Sequence, residues 1–156
     1  DFVRSKGKLG RTLPDEKFFT EPKILVVRTR NLSLKQRIVA TIDSEHKYNL
    51  NRLSNIIART GYSIVGLLAV LNSTLFNWLY SNRFYDYEIK PIYLRNSPLC
   101  DVNDKNLCQL TIQILEAKKQ GQDTTALEQQ VDELVYKLYG ITEEEKMVIE
   151  GVRLDH

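Results

Sequence analysis

The pattern of apolar and polar positions is built around residues 63–80, SIVGLLAVLNSTLFNWLY, the longest uncharged run and the most apolar one. Its length and composition predict a buried central helix on which both flanks can pack. Upstream, residues 23–30 (KILVVRTR) lie between Pro22 and Asn31 and read as a strand, in which Val26, Arg28 and Arg30 share one face. Residues 37–43 (RIVATID) alternate as a second strand. Residues 43–47 form a polar turn, and Tyr48-Asn49-Leu50 is expected to return as the hairpin partner. Residues 1–20 read as an irregular basic entry, with Phe18 and Phe19 as its anchor.

Beyond the central run the period changes. Residues 84–94 are tyrosine-rich and contain Pro91, which restricts them to an edge strand or a loop. Leu107, Leu110, Thr111, Ile114, Leu115 and Lys118 keep helical spacing up to Gly121. Leu127, Val131, Leu134, Val135 and Leu138 form a second apolar stripe, closed by Gly140. The short connection predicts an antiparallel helical pair. Thr142 and Glu145 fit a capping box at the start of a last short helix ending near Gly151. The expected fold class is α+β: a small mixed or antiparallel sheet, a buried helix at 63–80, and a C-terminal antiparallel helical pair. We expect residues 1–100 to form one α+β domain and residues 101–156 a helical packing segment.

The net charge of +2 hides a split. Residues 1–60 carry 13 Lys/Arg against 6 Asp/Glu, whereas residues 96–156 carry 6 against 12. A basic half beside an acidic one predicts a polyanion-facing surface on one side, against the plainer reading that each excess only solvates an outer face. Two cysteines, Cys100 and Cys108, argue against a disulfide framework and for a reducing, cytoplasmic setting. The first residues have no signal-peptide pattern, and the chain does not begin with methionine, so we expect a segment of a longer protein. Residues 63–80 are barely long enough to cross a membrane, and Asn72, Ser73, Thr74 and Asn77 would place polar groups in lipid, so no membrane partner is expected.

Catalytic patterns are weak. Gly7-Lys8-Leu9-Gly10 lacks P-loop spacing. His46 falls in a turn and His156 at the terminus, which supports neither a Ser-His-Asp site nor a zinc site with Cys100 and Cys108. Metal-dependent nucleases need an Asp, then an acid two residues before a Lys. Asp15 with Glu45-His46-Lys47, or Asp86 with Glu88-Ile89-Lys90, matches on paper. Glu-x-Lys recurs by chance in a chain this charged, and Glu45 and Lys47 sit in a predicted turn. No catalytic or metal residue is therefore assigned; a nuclease domain is one alternative, and a helical protein-interaction scaffold another.

The basic constellation is stronger. Arg28, Arg30, Lys35, Arg37, Lys47, Arg52 and Arg59 cluster between the first strand and the central run, with Asn31 and Asn49 interleaved. Arginine offers a bidentate fork to guanine or phosphate, asparagine pairs with adenine, and lysine positions against phosphates. Any one of these residues is more simply a solvated charge; as a cluster they point to DNA. The candidate contacts are Arg28, Arg30, Asn31, Lys35, Arg37, Lys47, Arg52 and Arg59. Tyr80, Tyr85, Tyr87 and Tyr93 offer rings that can stack on an extruded base, although packing against the central helix is the plainer expectation.

Four stretches agree with one family: residues 22–28 (PKILVVR), 37–41 (RIVAT), the Leu71-Asn72-Ser73 step, and residues 131–145 (VDELVYKLYGITEEE). From about Pro22 to Gly151 the chain resembles the TaqI-like C-terminal specificity domain, which follows the catalytic half of adenine-N6 DNA methyltransferases and is common in fused type IIG restriction–modification enzymes. The resemblance implies a target-recognition domain that binds double-stranded DNA and serves a catalytic methyltransferase domain of the same chain. S-adenosylmethionine, and magnesium where the parent cleaves DNA, would belong to that other half; no cofactor is expected here. The family's base-reading residues lie in variable loops, so the contacts above rest on this chain's own residues. The acidic C-terminal helices would pack away from DNA, against the catalytic half or, in a homodimer, a second copy.

Overall fold

A computed structural model of the chain describes residues 16–151. Of the expected irregular entry at 1–20, residues 1–15, with Asp15, lie outside the described residues, and residues 17–20 are instead a short helix with Phe19 buried. The elements run α1 (Lys17–Thr20), β1 (Lys23–Val27), β2 (Ala40–Asp43), β3 (Leu53–Ile56), α2 (Ile64–Asn72), α3 (Thr74–Arg83), α4 (Pro91–Arg95), α5 (Lys105–Lys119), α6 (Thr125–Tyr139) and α7 (Glu143–Glu150). This is an α+β fold with an antiparallel three-stranded sheet.

The sheet differs from the expected hairpin. Its order is β2-β1-β3, so the first strand is central. Tyr48-Asn49-Leu50 is not the partner of β2; the chain crosses over and β3 pairs with the other edge of β1, Ile24 against Ile56 and Val27 against Leu53. The apolar run of β1 explains its place. Ile24 and Val26 are fully buried in the common core, and a strand buried this way gains most from a neighbour on each side.

The free edge of β2 faces the central run, and the asparagines there close it. The Asn72 amide donates to the Ala40 carbonyl at 3.0 Å and accepts the Ala40 N–H at 2.9 Å. Asn77 Oδ1 accepts the Ile38 N–H at 2.7 Å. The polar residues that argued against a lipid-facing helix thus stand in for a fourth strand and satisfy buried backbone groups.

The central run is two helices rather than one. α2 and α3 meet at Ser73 with a bend of 62°. Ser73 is extended (φ −65°, ψ 154°); its hydroxyl donates to the Val70 carbonyl and accepts the Phe76 N–H, ending one helix and capping the next. Asp132 on α6 completes the cap, accepting the Thr74 N–H at 2.8 Å and the Thr74 hydroxyl at 2.6 Å. Among the described residues no single helix is long and apolar enough to cross a membrane.

The C-terminal helices follow their stripes. Leu107 and Thr111 of α5 and Val131, Val135 and Tyr136 of α6 are buried. Gly140 (φ 69°) ends α6 in the left-handed conformation, and the Thr142–Glu145 capping box opens α7. Leu107, Val131, Val135 and Tyr136 join Ile24, Val26, Leu71 and Phe76 in one hydrophobic cluster that includes residues on both sides of residue 100. Gly66 fixes the closest approach: a Cβ there would lie 1.9 Å from the Val102 carbonyl oxygen.

Candidate nucleic-acid interface

Because β1 is antiparallel to both neighbours, its C-terminal end lies beside the starts of β2 and β3. The chain leaves β1 through Arg28, Thr29 and Arg30. The Arg28 N–H donates to the Arg52 carbonyl at 3.1 Å, placing Arg52 beside it. Asn31 Oδ1 accepts the N–H and hydroxyl of Ser33, and the Leu34 N–H donates to the Asn31 carbonyl, folding residues 31–36 into a compact turn. Arg30 Nε donates to the Gln36 carbonyl at 3.1 Å across the base of that turn. Arg28, Arg30, Asn31, Lys35 and Arg52 therefore converge at one end of the sheet.

The eight sequence candidates do not all belong to this cluster. Lys47 and Arg59 belong to the opposite end, each following the strand, β2 or β3, that stops there. The Lys47 carbonyl accepts from Lys23 Nζ at 2.8 Å, and its own ammonium pairs with Glu45 at 2.7 Å. Arg37 is a correction of another kind. It is 1 % exposed, its Nη2 donates to the Asp86 carbonyl at 2.8 Å, and its guanidinium lies 5.9 Å from the centre of the Tyr80 ring. The first turn of chain before β2 enters the core, taking Arg37 with it, so Arg37 cannot reach a ligand and leaves the candidate set. Burial pushes the Tyr80 hydroxyl up to about 12, so it is a neutral phenol at physiological pH.

The remaining cations differ in freedom. Arg28 is half-buried, with one guanidinium nitrogen on the Asn51 carbonyl and the other on Glu88. Arg30 is engaged through Nε alone among the described residues, leaving its outer nitrogens for a ligand. Lys35 and Arg52 are exposed and form no ion pair among the described residues.

Residues 84–90 supply the part the sequence placed least well. They are a loop, one of the two forms expected of 84–94, and a firmly tied one: Thr29 bridges Glu88, the Ile89 N–H donates to the Arg28 carbonyl, and Ile89 is fully buried. Pro91 then opens α4 at its first turn, where the missing N–H costs nothing. Tyr80, Phe84 and Tyr93 pack together, Phe84 stacked on Tyr93 at 4.2 Å, as expected for rings against the central helices. Tyr85 and Tyr87 do not: they are 78 % and 59 % exposed.

The paper nuclease site dissolves into ion pairs. The Asp86 carboxylate accepts from Tyr93 and from Lys90 at 2.9 Å, and these bonds hold it below the usual carboxylate range. Glu88 is bound to Arg28. The described residues contain no group of three or more His, Cys, Asp or Glu side chains placed to hold a metal.

A family model, the TaqI-like C-terminal specificity domain, matches residues 2–99, which include the sheet, its loops and both central helices. The chain belongs to this family. The specificity domain serves DNA target recognition in restriction–modification systems, and its matched span contains every cation and ring described above. The match ends before α5, so residues 131–145, one of the four stretches on which the resemblance rested, lie outside it. No curated protein and no solved structure matches the chain.

Proposed function

We propose that the chain is the target-recognition part of an adenine-N6 DNA methyltransferase, with or without endonuclease activity as in type IIG enzymes, working in the cytoplasm. The observation that carries the reading is the convergence of Arg28, Arg30, Asn31, Lys35 and Arg52 at one end of the family's sheet. Lys35 and Arg52 suit phosphate positioning, while Arg30 and Asn31 sit on a rigid turn that can bring a fork and an amide to base edges. S-adenosylmethionine, and magnesium where DNA is cut, would act in the catalytic half of the same protein. The acidic excess of residues 96–156 favours packing of the helices on that half, or on a second copy, over contact with DNA.

The test is duplex binding by the 156-residue chain across a salt series. Affinity falling steeply and linearly in log salt is the expected result, because each neutralised phosphate releases counterions. Binding absent at low salt, on the parent enzyme's own site as well as on random duplex, contradicts the reading.

A further inference from the structure

The rim beside the cations carries two rings that ionic binding does not use. In segment 84–89 exposure alternates: Tyr85 and Tyr87 are 78 % and 59 % exposed, while Asp86 is half-buried and held by Lys90 and Tyr93. The segment is tied down at three points. Buried Arg37 grips the Asp86 carbonyl, Glu88 pairs with Arg28 and bridges Thr29, and Ile89 is sunk in the core. Two exposed tyrosines on a mobile loop would need no explanation. Here a fully desolvated arginine fixes the backbone between them, so the rings are presented rather than left over. They lose little further backbone freedom when a flat partner arrives, and a pre-ordered aromatic is an efficient contact for that reason.

Charge narrows the partner. The tip's two acids, Asp86 and Glu88, are each matched by a cation, Lys90 and Arg28. The charges nearby that form no ion pair among the described residues, on Arg30, Lys35 and Arg52, are all positive. A flat, electron-rich ligand carrying negative charge at its edge fits rings beside cations, and nucleic acid has that chemistry in its phosphates and in bases whose faces are freed by unstacking or extrusion.

We propose that Tyr85 and Tyr87 stack on bases that the bound duplex exposes by extrusion or unstacking, supplying a salt-independent share of affinity beside the ionic share of the cations. This rests on the DNA-binding reading above. The division has a distinct signature. Removing a phosphate contact flattens the dependence of log affinity on log salt, whereas removing a stacking contact lowers affinity equally at every salt.

The experiment measures duplex affinity across a salt series for the full chain, Y85A/Y87A, Y85F/Y87F and R30A/K35A, with the melting temperature of each. The alanine pair is expected to lose roughly tenfold per ring, the order seen when stacking aromatics are truncated. Its salt slope and melting temperature should stay unchanged, and the phenylalanine pair should bind like the parent. Unchanged affinity in Y85A/Y87A, a shallower salt slope, a loss that phenylalanine does not restore, or a lowered melting temperature each overturns stacking. If R30A/K35A weakens binding while Y85A/Y87A does not, stacking fails and the DNA reading stands; if the parent chain does not bind duplex at all, both fail.

Discussion

The two ends of the sheet use the same residue types for opposite purposes. At the start of β1, Lys23 is fully buried, bonded to Asp43 at 2.6 Å and to the Lys47 carbonyl, and Asp43 also accepts the N–H groups of Glu45 and Lys47. That cation holds a turn together. At the far end of the same strand, Arg52 is placed by its carbonyl and Arg30 by its Nε, and among the described residues Arg30, Lys35 and Arg52 form no ion pair. Arg37 lies just ahead of β2 at that same open end, a buried cation with no carboxylate partner among the described residues, and it serves the aromatic tip by gripping its backbone. The count of positive charges in residues 1–60 therefore mixes charges that build the fold with charges that can leave it for a ligand. Burial, which sequence alone does not give, separates them.

The comparison breaks most visibly at the closed end. Asp43→Ala strips Lys23 of its partner while leaving it buried, and should cost about 3 kcal/mol or more, read as a lower denaturation midpoint. Burial works to raise the Asp43 pKa, but the Lys23 bond and the two amides outweigh it and hold the carboxyl below its ordinary 3.8. The acid is thus more readily ionised folded than unfolded. Its contribution is present above pH 3.8 and is lost as pH falls through the lower folded value. Asp43→Asn should show a flatter stability profile in that acid window, and a parallel profile would contradict the role given to this pair.

The effect at Arg37 is smaller. Arg37→Ala removes one charged hydrogen bond to a backbone carbonyl and the contact with Tyr80, worth about 2 kcal/mol. It should also loosen residues 84–90, so limited proteolysis near Tyr85 and Tyr87 should speed up. Arg30→Ala should change neither stability nor cleavage. Equal behaviour of the two variants would erase the distinction between building and binding cations.

Much of the fold was legible because it follows from periodicity. The stripes of α5 and α6, the stop at Gly140 and the Thr142–Glu145 box depend on neighbours a few residues apart. The sheet order did not, because a strand's partner depends on which edge the core leaves open. The hairpin expected at Tyr48–Leu50 lost to the pairing of β3 with β1. The kink at Ser73 was present in the Asn-Ser-Thr sequence but was outweighed by the hydrophobicity around it. In the candidate site, Arg28, Arg30, Asn31, Lys35 and Arg52 come together because strand ends meet, which proximity in sequence anticipated. Arg37 could not be separated from them: the expected strand began at Arg37, whereas β2 begins at Ala40, and nothing in the alternation says that Arg37 and Ile38 ahead of it both turn inward.

The most direct test of the account compares the two ends by salt dependence. Duplex affinity of the full chain is measured between low and physiological salt for R30A/K35A/R52A and for K47A/R59A. The first set should lower the magnitude of the log–log slope by roughly one per lost phosphate contact and weaken binding throughout, while the second leaves slope and affinity close to the parent's. A slope that falls equally in both sets, or only in K47A/R59A, would contradict the placement of the DNA interface at the open end of the sheet.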